Sequence, residues 1–336
     1  MKKILQLTAI LLIVAQQAQA RSYSKGAGSS TVYPFITAAA ESFARVSDYS
    51  APIIEATGTG GGFKLFCSGI GAKYTDFSNA SRQIKASEIE LCKKAGITNI
   101  IEVQIGFDGI VLADKLINSE IKLSLNDIFL ALARDIPQNG QLVTNNYKYW
   151  SDIRSDLPKR EIIIYGPPPT SGTRDAFVEL VMQKTCENFS EYKTAYPDKK
   201  TRKKYCSLFR EDGVFIEAGE NDNIIVNKLV LNDAALGIFG YSFLEQNSDK
   251  VKGLSINNVY PSFDNIAAQS YPVARSLFIY VKQAHLKLIP SLKPFITELI
   301  SEDSLGEDGY LTFKGLIPLR EEQRTAMQQQ VSAQLN

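Results

Sequence analysis

An α/β fold with largely parallel sheets is what this sequence predicts, and three observations carry the prediction. Short apolar, strand-like runs alternate with segments of helical periodicity along most of the chain. A glycine- and hydroxyl-rich loop leads into a helix at three places, Ser29 to Thr31, Thr57 to Gly62 and Thr170 to Thr173. No fixed-period repeat or low-complexity tract interrupts the alternation. The length of 336 residues suits about two domains.

Residues 1–20 read as an export signal. Met1-Lys2-Lys3 is basic, Ile4 to Ala15 is mostly apolar, and Ala18-Gln19-Ala20 has the small-x-small form cut by a signal peptidase. The apolar run is too short for a permanent span, which needs about 20 residues. The mature chain is therefore expected to begin near Arg21, exported, soluble and periplasmic. The 37 basic and 36 acidic side chains of the full sequence give a net charge of +1, and loss of Lys2 and Lys3 brings it near −1. That balance, with a single histidine, argues against a nucleic-acid partner held by a basic surface and against a metal site of several imidazoles. In an oxidising compartment the four cysteines favour disulfides. Three connectivities exist. The local pairs, Cys67 with Cys92 and Cys186 with Cys206, are favoured because each closes a modest loop, with free buried thiols as the alternative.

Taken in order, Pro34 opens a helix whose apolar positions are Phe35, Ile36, Ala39, Ala40, Phe43 and Ala44. A strand over Ala51 to Glu55 leads through the glycine cluster into a helix lined by Phe63, Phe66, Cys67 and Ile70. A third strand, Tyr74 to Phe77, runs into Asn79-Ala80-Ser81-Arg82 and then a charged helix, Ala86 to Ala95. Ile100 to Ile105 and Gly109 to Ala113 read as buried strands broken by Gly106-Phe107-Asp108, a candidate domain crossing. Ile162 to Tyr165 precedes the third loop, whose helix carries Ala176, Phe177, Leu180 and Val181. Lys199 to Lys204 forms a basic run, read as a solvated face. Glu220-Asn221-Asp222-Asn223 caps a helix containing Ile225 and Leu229, and Ala234 to Tyr241 is a turn and strand. Ser276 to Val281 is a strand, Ser291 caps a helix ending at Ile300, and Glu321 to Leu335 is a polar tail helix.

A helix N-terminus offers unsatisfied N–H groups and positive partial charge, so it suits an anion. Glycine permits close backbone approach, and Ser or Thr adds donors. Three such loops converging across a cleft would hold a small oxyanion, with Arg82 and Arg174 beside them for charge-assisted bonds. Any one loop alone is also what ordinary capping requires. Nucleotide-binding glycine patterns are absent, as is a Gly-x-Ser-x-Gly elbow. His285, in Lys282-Gln283-Ala284-His285, reads as exposed rather than catalytic, and Trp150 as packing.

Gly26-Ala27-Gly28-Ser29-Ser30-Thr31, Gly58-Thr59-Gly60-Gly61-Gly62, Thr75 to Arg82, Thr170-Ser171-Gly172-Thr173-Arg174-Asp175 and Gly237-Ile238-Phe239-Gly240-Tyr241-Ser242 follow one another in an order that resembles the periplasmic phosphate-binding proteins of ABC uptake systems. The resemblance spans nearly the whole mature chain. It implies a two-lobed, type II binding-protein fold, each lobe a mainly parallel sheet flanked by helices, joined by two hinge strands. Lobe I is expected over 21–105 plus 266–336 and lobe II over 106–265. It further implies a monomer without cofactor or catalysis, which delivers inorganic phosphate to the permease subunits. Carried over position by position, the ligand set is Ser30, Thr31, Thr59, Ser81, Arg82, Ser171, Gly172, Thr173 and Arg174. The family's usual aspartate is replaced by Ser81 and its usual arginine by Pro167. Arg82 and Arg174 are the replacements for the arginine, as in a subgroup with Ser-Arg and Ser-Gly-Thr-Arg. Asp108, Glu220 or Asp222 would restore the carboxylate that accepts a phosphate proton. Rival readings are a secreted phosphatase on the same scaffold and an envelope adhesin using the basic segment.

Overall fold

The structure, a computed structural model, describes residues 21–169, 171–219 and 222–335. The expected export signal, Thr170 and Glu220 lie outside the described residues.

Short runs of four to six residues become strands β1 (Lys25–Gly28), β2 (Ile53–Ala56), β3 (Phe77–Ala80), β7 (Ile163–Gly166) and β9 (Ala235–Gly240). Longer strands are β4 (Ile100–Lys115) and β11 (Ala274–Lys282), shorter ones β8 (Phe215–Glu217) and β10 (Val251–Gly253). β5 (Asp135–Gln138) and β6 (Gln141–Thr144) form a separate hairpin. The main sheet runs β2-β1-β3-β11-β4-β9-β7-β8, with β10 on the end of β4. At each flank the strands are parallel: β2, β1 and β3 on one side, β9, β7 and β8 on the other. Between them β11 and β4 are antiparallel to each other and to both flanks. The result is two α/β halves joined by two shared strands, a two-lobed type II fold. The carboxyl ends of parallel strands are where such sheets place ligands.

β4 carries the crossing. The sequence suggests a break at Gly106-Phe107-Asp108, yet the strand continues through it. The reason is a partner remote in sequence: Phe107 N–H donates to Ile317 O at 2.8 Å, Ile317 N–H returns to Phe107 O at 3.0 Å, and β11 pairs along the same stretch. Gly106 has φ +151°, and a Cβ there would lie 2.5 Å from Ile317 O, so glycine permits the close approach rather than ending the strand.

Each half has its own apolar core. One gathers Phe35, Ile36, Phe43, Phe77, Phe295 and Leu299. The other runs from Phe107 to Val273 and includes Trp150, Phe177, Ile225 and Phe239. The tail helix Glu321–Leu335 seats Val331 and Leu335 in the first core, and Arg324 Nε donates to Glu302 at 2.9 Å. Cys67–Cys92 and Cys186–Cys206 are both disulfides. Trp150 is fully buried, and the basic run lies on an exposed helix, Lys199–Cys206.

Three local expectations shift. The helix after the glycine cluster stops at Phe66, which leaves Ile70 beyond it and 40% exposed. Ser291 precedes its helix, Leu292–Leu299, without a capping bond; its hydroxyl instead meets Ser24 Oγ at 3.0 Å. His285 is buried rather than exposed. Its Nε2 accepts from Gly71 N–H at 3.0 Å, so Nδ1 carries the proton and donates to buried Asp76 at 2.7 Å. Asp76 also holds Arg21 and the Lys25 N–H, and this network draws the imidazole inward.

Candidate functional site

β1, β2 and β3 deliver the first half's loops to one edge of the sheet. Helix Tyr33–Val46 follows β1, with Pro34 in its first turn and no side-chain capping bond. Helix Thr59–Phe66 follows β2. Here the glycine cluster is already helical, since Thr59 is its first residue and Gly58, at φ +71°, turns the chain into it. That helix too lacks a side-chain cap. Thr59 Oγ1 accepts from Ser81 N–H at 3.2 Å and lies 3.1 Å from Ser81 Oγ, which pins the end of β3 against the helix start.

Between the two halves opens a cavity of about 780 Å³. Ser29 to Thr31, Thr57 to Gly61, Ser81 and Arg82 line it from the first half, and Asp175, Val178, Glu179, Gln183 and Lys203 from the second. Lys64, Lys85 and Glu88 complete its polar wall. Ser30, Thr31, Thr59, Ser81 and Arg82 are thus brought together. The geometry can present hydroxyls and two uncapped helix starts to one small anion, among cationic side chains.

From the second half, the helical stretch that begins at Gly172 runs through a π-helical segment, Val178–Gln183, to Cys186. Ser171 caps it, accepting Thr173 N–H at 3.2 Å. Gly172 meets the first half directly: a Cβ on it would lie 3.0 Å from Ser30 O and Thr31 Cα. Ser30 Oγ donates across the cleft to Asp175. Gly172 therefore abuts the first loop, while Ser171, Gly172 and Thr173 are not among the residues that line the cavity.

The two arginines named from sequence differ. Arg82 lines the cavity but is committed to Glu88 through two bonds of 2.9 and 2.8 Å, and the hydrogen bond to that carboxylate raises its pKa further. Arg174 turns away into the second half, with its guanidinium 3.6 Å from the Phe209 ring centroid and 4.1 Å from that of Phe215. Burial pushes its pKa down to about 10, and Nη1 has no hydrogen-bond partner among the described residues.

A third arginine, unassigned in sequence, stands at the junction. Arg275, near the start of β11, donates to Thr31 Oγ1 and to Glu179. The available signal was a lone cation entering the apolar run Leu277-Phe278-Ile279-Tyr280-Val281. Asp175 and Glu179 carry no such signal, because only the cleft brings them to the first half.

Of the carboxylates considered from sequence, Asp108 and Asp222 are described. Both have raised pKa values, chiefly through burial, and Asp222 reaches about 6 while accepting Gly240 N–H at 3.0 Å. The native state thus holds the Asp222 proton more tightly than the unfolded chain. The stability this group adds is full below the unfolded value of 3.8 and is lost as pH rises through about 6. Asp222→Asn keeps an acceptor for Gly240. It is expected to match the parent in urea unfolding at pH 3.5 and to exceed it by about 3 kcal/mol at pH 7.5. A gain of equal size at both pH values would contradict the assignment.

Fold and cleft together define a member of the PBP superfamily: the model of the PBP superfamily domain matches residues 14–303, and the chain belongs to that superfamily. Protein SphX of Synechococcus elongatus is 33% identical over 304 residues, 85% of this chain and 79% of its own length. Phosphate-binding protein PstS of Staphylococcus saprophyticus is 32% identical over 268 residues, 78% of this chain and 71% of its own. Within the superfamily the chain belongs to the family of these PstS and SphX proteins. A crystal structure of a possible phosphate binding protein from Planctomyces limnophilus aligns with a TM-score of 0.74 at 28% identity, covering 94% of this chain and 99% of that one. An ABC-type phosphate transport receptor from Vibrio cholerae shares the fold at 16% identity, with a TM-score of 0.55. No helix among the described residues is long and apolar enough to cross a membrane.

Proposed function

We propose that this chain is the solute receptor of a phosphate uptake system: it captures inorganic phosphate between its halves and passes it to an ABC permease. The observation that carries the reading is the pair of helix starts, at Tyr33 and Thr59, that no side chain caps and that adjoin a cavity lined by hydroxyls. Ordinary capping, the competing account of those Ser and Thr residues, applies to Ser171 but not to these two helices. Ser30 through its N–H, with Thr31, Thr59 and Ser81, donates from the first half, and Ser171, Gly172 and Thr173 donate from the second. Arg82 adds charge at the wall, and Arg174 adds it from behind the second loop. Asp175, already bonded to Ser30, is the cleft carboxylate placed to accept the proton of a hydrogen phosphate, which sulfate lacks. The chain works as an exported, periplasmic monomer, and its two lobes close over the ion. Binding, not turnover, is its task.

Calorimetric titration of protein stripped of ligand by unfolding and refolding tests this. One phosphate per chain at micromolar affinity or better is expected, with no heat from sulfate under the same conditions. Absence of phosphate binding would sink the reading, and equal binding of sulfate would remove the role given to Asp175.

A further inference from the structure

Arg275 is 7% exposed and ties together three segments that meet only in the folded cleft. Its Nη2 donates to Thr31 Oγ1 in the first half's loop. Nη1 donates to Glu179 Oε2 at 2.9 Å, on the helical stretch of the second half. Nε lies 3.4 Å from Asp108 Oδ2 on the crossing strand. Glu179 is half exposed and lines the cavity, whereas Arg275, on one of the two strands that join the halves, is not among the residues that line it.

We propose that Arg275 is a positioning residue that couples anion capture to closure of the cleft, an inference that rests on the phosphate-binding reading above. A threonine oxygen that accepts from a guanidinium keeps its own proton to give away, and the charge-assisted bond polarises that hydroxyl. Thr31 then faces the cleft as a donor. Its other neighbour, Gly172 O at 3.4 Å, is a weak competitor for the proton. The bond to Glu179 does different work. It joins a strand shared by both halves to a helix of the second half, so it forms only when that helix is drawn in. Its contribution belongs to the closed state and governs how long the ion stays. Asp108 fixes the guanidinium from the opposite side, so that Thr31 and Glu179 are served by one rigid group rather than by two independent cations.

The test is a double-mutant cycle on the full, ligand-stripped chain with phosphate as the probe. It comprises Arg275→Met, Glu179→Gln and both together, followed by calorimetry, stopped-flow release and small-angle scattering with and without phosphate. Arg275→Met is expected to weaken affinity about 100-fold, through the loss of a buried, charge-assisted group. Glu179→Gln is expected to speed release about tenfold with association unchanged, and the double variant to be no weaker than Arg275→Met. Arg275→Lys should recover part of the affinity, and phosphate should shrink the radius of gyration less in both single variants than in the parent. Losses that simply multiply would overturn the coupling. So would an Arg275→Met protein with a lowered unfolding temperature but unchanged affinity. If Arg275→Met does not fold, Glu179→Gln decides, and an unchanged release rate overturns the proposal. A parent protein that binds no phosphate would overturn the functional reading, and the coupling with it; a parent that binds normally alongside multiplicative losses overturns the coupling alone.

Discussion

Replacing Gly172 with valine is expected to weaken phosphate binding about 100-fold while the folded protein survives. Gly172 opens the helical stretch of the second half and is where that half touches the first loop: a Cβ would lie 3.0 Å from both Ser30 O and Thr31 Cα. Those are backbone atoms of the loop that carries two proposed donors, so they cannot step aside without moving the donors. Overpacking of this kind costs about 1 to 3 kcal/mol, and 1.4 kcal/mol is tenfold in affinity. The clash exists only when the halves are together. The open form proposed for the ligand-free protein would relieve it, so thermal unfolding without ligand should hardly change, whereas the dissociation constant should rise. Gly172→Ala should lie between valine and the parent. Calorimetry with phosphate, paired with thermal unfolding of the same samples, checks the prediction; unchanged affinity in the valine variant would show that the halves need not meet here.

The second large effect concerns Gly62 and reverses a general rule. Inside an ordinary helix, glycine to alanine stabilises by about 1 kcal/mol. Gly62 lies inside helix Thr59–Phe66, fully buried against β1, where a Cβ would meet Gly28 Cα at 2.5 Å and Ala27 O at 2.6 Å. The helix stands on bare backbone, and a methyl group would lift it off the strand. Gly62→Ala is expected to destabilise the protein by about 3 kcal/mol and to weaken phosphate binding too, because Thr59 and its bonds to Ser81 move with the helix. Urea unfolding read by circular dichroism gives the sign directly. Gly60 offers the control, since its Cβ would meet nothing within 4 Å, so Gly60→Ala should follow the ordinary propensity.

How far the sequence discloses this molecule depends on whether an interaction is local. The strand, loop and helix alternation is local, and so the α/β fold, both disulfides and the helix starts beside Ser30, Thr59 and Ser171 were legible. The register of β3 was not: Tyr74 to Phe77 looked extended, but pairing with Gly26 to Gly28 places the strand at Phe77–Ala80. The glycine cluster looked like a loop because glycine is a poor helix former, yet packing on β1 requires the missing side chain at Gly62 and overrides propensity. Charge was the hardest to place. Arg82 and Arg174 were conspicuous beside their loops, but Glu88 claims the first, and two phenylalanines distant in sequence flank the second. Arg275 was inconspicuous because Thr31 and Glu179, which explain it, lie 244 and 96 residues away.

The most direct measurement of the central claim is a crystal structure of the chain grown with phosphate. One tetrahedral ion should lie between the halves, within hydrogen-bond distance of the Ser30 and Thr31 loop, Thr59, Ser81 and the helix start at Ser171 to Thr173, with the second helical stretch closed over it. An empty cleft at saturating phosphate, or an ion held elsewhere on the surface, would contradict the account.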